Sequence, residues 1–243
     1  MLLHNYRAFS ELEKEVLALA TSREQPQGFH PEEIRTRLVT AVVNYLTSMR
    51  MFLDHSEAEL NRRDARDGGN RLPTWKTACK AEYDDYFAYR FLYKYRNYIQ
   101  HLGLPLSSGS VSGGIDEDGR IVGRIFLGES PEHLVAEYKR WGTVGRELES
   151  LTTEIDLSEQ IHVSVECLLR IAEALLREDM PELDASVKTY KAVIGDLDSY
   201  DGEPVLLRRK SSQHPRTFEI STLDVGRYRM AEEIVSSQQH NMP

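Results

Sequence analysis

The sequence predicts a mainly α-helical protein: an antiparallel helical bundle with an inserted β-hairpin and a small mixed C-terminal segment. Three observations lead there. Apolar residues recur at helical spacing through most of the first hundred residues and again after Pro131. Two long amphipathic stretches are joined by a short polar turn, the pattern of an antiparallel helix pair. Between about 107 and 128 the helical period gives way to Ser, Gly and β-branched residues.

The first helix is expected over Asn5–Ala20, where Phe9, Leu12, Val16 and Leu19 are spaced by three and four. A polar break from Ser22 to Gly28 follows. Pro31 suits the first turn of a second helix, with Glu32 and Glu33 at the positive end of its dipole. Its stripe of Ile34, Leu38, Ala41, Tyr45, Met49 and Phe52 holds to about Arg62. Asp64 to Asn70, with Gly68-Gly69, is a turn. A third helix opens near Pro73-Thr74 and runs unbroken to His101, where Gly103 and Pro105 stop it.

The segment Asp116-Glu117-Asp118-Gly119 marks the turn of the hairpin, and Arg120–Leu127 is its second strand. Asp156-Leu157-Ser158-Glu159 opens the best-formed later helix, with Ile161, Val165, Leu168, Ala172 and Leu175 spaced 4-3-4-3. A separate, shorter helix is expected from about Pro181 to Leu197. Beyond it, Val205–Leu207 and Thr217–Ile220 read as strands around a basic segment with Arg208, Arg209, Lys210, His214 and Arg216, and Leu223–Val235 reads as a helix. The domain division expected from this pattern is 1–200 for the helical domain with its hairpin and 201–243 for the extension.

With 243 residues the chain can bury a sizeable core, and 40% hydrophobic with 28% charged residues fits an ordinary globular protein. A net charge of -9 argues against general DNA coating, which needs many surface Lys and Arg. Cys79 and Cys167 have no CxxC partner and read as reduced thiols. The N-terminal stretch turns acidic too early for a signal peptide, and no apolar run is long enough for a bilayer, so a cytoplasmic protein without a membrane partner is expected.

Against this acidic background one stretch stands apart. Tyr86 to His101 reads YFAYRFLYKYRNYIQH, with seven aromatics, two Arg, one Lys, one His and no acid. Arg96 offers a permanently charged, planar fork of donors that suits phosphate oxygens. His101 is the side-chain type that takes and gives protons near neutral pH. Asn97 lies one turn before His101 and shares its face. Arg96 and His101 are five residues apart, ~140° around a regular helix, so they converge only if the helix ends between them or a second copy faces the first.

The motif Arg96-Asn97-Tyr98-Ile99-Gln100-His101, followed by Leu-Gly-Leu-Pro, resembles the HEPN superfamily, whose ribonuclease members carry Arg, four to six residues, then His. The resemblance is specific over about ten residues and extends loosely over 31–200. It implies a helical, HEPN-like bundle and metal-independent endonucleolytic cleavage of single-stranded RNA by a homodimer. It also implies a toxin or defence effector, with an antitoxin or a small nucleotidyltransferase as the partner. Arg96 and His101 would be the catalytic pair and Asn97 its polar support. The ribose 2′-hydroxyl would attack the neighbouring phosphate, so neither metal nor cofactor is required.

Arg90, Tyr93, Lys94 and Tyr98 are the expected RNA contacts, cations for phosphates and rings for bases. Phe87, Phe91 and Tyr95 share a helical face and read as core, which leaves Tyr89, with Tyr93 and Tyr98, freer to face a ligand. The rival reading is a non-catalytic helical module that uses Arg96 and His101 to bind a nucleotide or a partner protein. Elsewhere the pattern offers little chemistry. Asp84-Asp85 reads as a solvated face, the remaining histidines lack ligand spacing, and the phosphate-loop, dinucleotide and serine-hydrolase signatures are absent.

Overall fold

The computed structural model describes residues 1–22, 30–103, 106–118, 121–195, 205–209, 218–222 and 225–240. Among them the protein is mainly helical, with eight helices, a three-stranded antiparallel sheet and a two-stranded hairpin. It forms two compact units, Met1–Ala174 and Leu175–Pro243, and the division falls earlier than the expected 200.

In the first unit, α1 (Leu2–Thr21) buries Phe9, Leu12 and Val16, the stripe read from the sequence. Helix α2 (Pro31–Asp67) starts at the expected proline, with Glu32 and Glu33 in its first turn, and spans ~55 Å at ~1.5 Å per residue. It runs past Arg62 because Gly68, at φ 74°, caps it in the left-handed conformation and donates its N–H to the Asp64 carbonyl. The Asp64 carboxylate then accepts the N–H groups of Arg71 and Leu72, satisfying two orphan donors of α3 (Arg71–Asp85).

The expected unbroken third helix is two helices. Tyr86 is extended (φ -117°, ψ 115°) between α3 and α4 (Phe87–His101). Neither Gly nor Pro marks this break. Asp84 and Asp85 are unfavourable at the negative end of α3 and favourable before the positive end of α4. Arg170 fixes the junction: its guanidinium lies 4.3 Å from the Tyr86 ring centre and forks onto Glu82 at 2.9 and 2.8 Å.

Strands β1 (Ser108–Ile115) and β2 (Ile121–Glu129) form the expected hairpin, Ser108 opposite Gly128 and Ile115 opposite Ile121. The Asp116 carboxylate accepts the Asp118 N–H at its turn. A short strand, β3 (Ile155–Asp156), which the sequence reading missed, adds to β2. The glycines let α1 settle on this hairpin, since a Cβ on Gly113 or Gly123 would strike the Leu17 side chain. Helices α5 (Pro131–Glu137) and α6 (Thr143–Ser150) follow, with the Ser130 hydroxyl capping α5 through the His133 N–H.

Helix α7 (Leu157–Ile194) passes through Pro181 without ending, where a separate helix was expected. A single proline forfeits one backbone hydrogen bond, and the helix continues beyond it to bury Val187. In the second unit, β4 (Val205–Arg209) pairs with β5 (Phe218–Thr222), and α8 (Val225–His240) follows. There Tyr190 of α7 stacks on Tyr228 of α8 at 4.3 Å. Lys210, His214 and Arg216 of the expected basic cluster lie outside the described residues.

Candidate nucleic-acid interface

Helix α4 is sharply two-sided. Ala88, Tyr89, Phe91, Leu92, Tyr95 and Tyr98 are buried. Phe87, Phe91, Tyr95 and Tyr98 stack in succession along the helix at 5.2, 5.1 and 5.7 Å between ring centres. Trp141 stacks on Phe91 at 6.1 Å and on Tyr98 at 5.9 Å, and its indole N–H donates to the Leu134 carbonyl. The aromatic richness that sets this helix apart is therefore mostly core, and it fixes the helix rotationally. With ~100° per residue, Arg90, Lys94, Asn97 and His101 fall within roughly 60° of one another on the opposite side.

His101 is exposed, in the last turn of α4, and Arg96 and Asn97 are half-buried. The Arg96 guanidinium donates to the Gln100 side-chain oxygen one turn on, a neutral amide rather than a carboxylate. Because α4 stays helical through His101, Arg96 and His101 remain ~140° apart, and one chain does not bring them together. The alternative in which the helix ends between them does not occur.

The expected RNA contacts divide. Lys94 is half-buried on the outer face, with its ammonium 6.0 Å from the Tyr93 ring centre. Tyr93 is half-buried and already meets a cation, since the Arg50 guanidinium of α2 sits 4.7 Å from its ring centre. Arg50 in turn pairs with Asp54 at 2.9 Å. With Lys94 it makes two cations at the Tyr93 ring, and sequence reasoning missed it because it lies more than forty residues upstream and carries no local motif.

Arg90 is a correction. It forks onto Glu147 of α6, with its closest N–O distance 2.5 Å, and also donates to the carbonyls of Tyr83 and Asp84. Those carbonyls belong to the last turn of α3, so Arg90 closes the α3–α4 break and is not available to RNA. The Glu147 hydrogen bond holds its pKa above the ordinary arginine value.

Tyr98 is a second correction. It is 3% exposed, and its hydroxyl donates to Glu137 of α5 at 2.8 Å. Burial first, and then the Glu137 carboxylate, push its phenol pKa up. Tyr89, which the pattern left freer to face a ligand, is buried beside Cys79, and burial raises its pKa as well. Alternate tyrosines in the sequence suggested two faces; the helical period puts most of them on one.

Outside this helix the structure assembles a polar network that the sequence did not signal. His162 of α7 is hydrogen-bonded through Nδ1 to the Tyr6 hydroxyl at 3.0 Å and through Nε2 to Glu13 at 2.9 Å. Glu13 also accepts from the Ser158 hydroxyl. Glu13, Ser158 and His162 line a cleft of about 530 Å³ between α1, β2 and α7. The Glu13 hydrogen bond raises the His162 pKa above 6.5. The network's two α1 residues, Tyr6 and Glu13, stand 145 or more positions from the two α7 residues they bind, Ser158 and His162, so no local pattern joins them. Among the described residues no three His, Cys, Asp or Glu side chains are grouped to hold a metal ion, and no helix is long and apolar enough to cross a membrane.

No protein-family model, curated protein or solved structure matches the chain.

Proposed function

We propose that the protein is a HEPN-type endoribonuclease that cleaves single-stranded RNA as a two-fold homodimer, with Arg96 and His101 as the catalytic pair. One observation carries this reading: the buried aromatic face of α4 leaves Arg96, Asn97 and His101 solvent-accessible, with Arg96 bound to an amide rather than a carboxylate. A structural arginine on an acidic protein would sooner sit on a carboxylate, as Arg90, Arg124 and Arg170 do.

The ~140° divergence within one helix calls for a second copy, so that Arg96 of one chain meets His101 of the other. His101 then moves the protons of the 2′-hydroxyl attack, and the Arg96 fork holds the charge that develops on the phosphate. Lys94 and Arg50 hold flanking phosphates. Asn97, one turn from His101, supports the scissile group or the imidazole. A toxin or defence role, with an antitoxin or nucleotidyltransferase partner, follows from the same reading.

The same divergence also suits the second reading, in which Arg96 and His101 make a dimer or ligand contact without chemistry. Incubating fluorescent single-stranded RNA with purified protein in excess chelator separates the two. The ribonuclease reading expects cleavage that His101→Ala and Arg96→Ala abolish and Arg96→Lys restores in part, because the fork is lost. Equal cleavage by wild type and His101→Ala would refute it, and RNA or nucleotide binding without cleavage would select the second reading.

A further inference from the structure

The hairpin after the motif helix ends in a carboxylate that the proposed chemistry does not use. Glu129 closes β2, is 2% exposed, and accepts three hydrogen bonds. Its Oε1 receives the Tyr95 hydroxyl at 2.7 Å and the Leu106 N–H at 2.5 Å, and its Oε2 receives the Ser107 hydroxyl at 2.8 Å. Tyr95 precedes His101 by six residues, and Leu106 follows it by five. A single oxygen therefore ties the chain on both sides of the histidine.

A second, independent feature lies at the same place. Leu106 has φ 86°, the only positive-φ residue other than glycine among those described, and it is buried. A branched residue in that conformation costs free energy and persists only where its surroundings over-determine it. Here both backbone groups are held: the N–H by Glu129 and the carbonyl by the Arg35 guanidinium of α2 at 3.1 Å. Ser107 is fixed besides through its N–H to the Gly128 carbonyl at 3.0 Å. Among the described residues no cation is a hydrogen-bond partner of the Glu129 carboxylate; three neutral donors replace its hydration.

We infer that Glu129 is a positioning residue for the Arg96–His101 site, holding the end of α4 and the chain beyond it in one fixed placement of His101. The inference rests on the proposed site, and it gives the hairpin inserted after the motif a purpose: β2 delivers the carboxylate that sets the histidine. Because Tyr95 is a stacked core ring, removing its hydroxyl alone releases one side of the tie without opening the core.

The test is Tyr95→Phe in the full chain, read by the His101 imidazole resonance, by amide exchange and by RNA cleavage. His162, in its own network, is the reference resonance. The inference expects the His101 resonance to shift or broaden and the His162 resonance to stay. The Leu106 amide should exchange about tenfold faster, the loss of one hydrogen bond. It expects kcat to fall about ten- to a hundredfold with KM within about twofold, the sign of a misplaced catalytic group rather than lost binding. Glu129→Gln keeps one acceptor oxygen and should give a smaller effect than Tyr95→Phe on Leu106 exchange. An unchanged His101 resonance and unchanged Leu106 exchange in Tyr95→Phe would overturn the inference. If the wild type proves unable to cleave RNA, the ribonuclease reading falls, and the resonance and exchange data decide the positioning role by themselves.

Discussion

Replacing Arg90 with Ala should cost stability and leave RNA binding alone, although sequence pattern places this arginine among the RNA contacts. Its side chain is 17% exposed and that of Glu147 is 35% exposed, so the pair lies between an exposed bridge and a buried one. After discounting for solvent screening on the Glu147 side, the carboxylate pair contributes about 1 kcal/mol. The two α3 carbonyls that Arg90 also serves add about 1 kcal/mol, since their solvation is only partly restored when the guanidinium leaves. The sum is about 2 kcal/mol, which for a unit of this size corresponds to a fall of about 4–8 °C in Tm. Thermal and urea unfolding of the full chain measure the loss directly. Glu147→Ala alone should cost about 1 kcal/mol, and the double-mutant cycle should return a coupling near that figure. RNA affinity, measured in a His101→Ala background, should change by less than about twofold. A tenfold loss of RNA binding with Tm unchanged would refute this assignment and return Arg90 to the interface.

Tyr98 gives a paired test of the same logic: Tyr98→Ala should cost about 3–5 kcal/mol of stability, as a large buried ring, while Tyr98→Phe should cost about 1 kcal/mol through the lost bond to Glu137. Both follow from denaturant titration, and a stable Tyr98→Ala with weakened RNA binding would contradict them. His162 makes stability pH-dependent. Its folded pKa is raised above 6.5 by Glu13, so its contribution is complete below 6.5 and is lost as pH rises through the raised value. His162→Gln should flatten that segment of the stability profile, and an identical profile in the variant would count against the network. Burial pushes the Cys79 thiol up to about 11 and the Cys167 thiol up to about 12, so neither should be alkylated at pH 8 until the chain unfolds.

Periodicity carried the long elements. Pro31 with its two glutamates marked the start of α2, the Phe9–Leu12–Val16 stripe marked α1, and the switch to Ser, Gly and β-branched residues marked the hairpin. What escaped depended on contacts distant in sequence. The break at Tyr86 is held by Arg170, some eighty residues later, and β3 is too short to carry a pattern. Pro181 is a standard stop signal, yet the helix continues through it.

The residues of the proposed site, Arg96, Asn97 and His101, draw attention in the sequence because motif and composition coincide on one short stretch. Which tyrosines face outward was not legible. Seven aromatics in sixteen residues must bury most of their surface somewhere, and the side is fixed by partners distant in sequence such as Trp141, Glu129 and Glu137. Glu129, Arg35 and Arg50 were invisible for the same reason: each reaches the motif helix or its exit from another element.

Subunit mixing tests most directly whether Arg96 of one chain works with His101 of another. Arg96→Ala and His101→Ala chains, each inactive alone, are combined under conditions of subunit exchange and assayed on single-stranded RNA in chelator. A shared site expects activity to return toward about a quarter of wild type at equal mixing, because random pairing makes half the dimers mixed and each mixed dimer keeps one of its two composite sites intact. No recovery despite demonstrated exchange, or full activity from a strictly monomeric wild type, would contradict it.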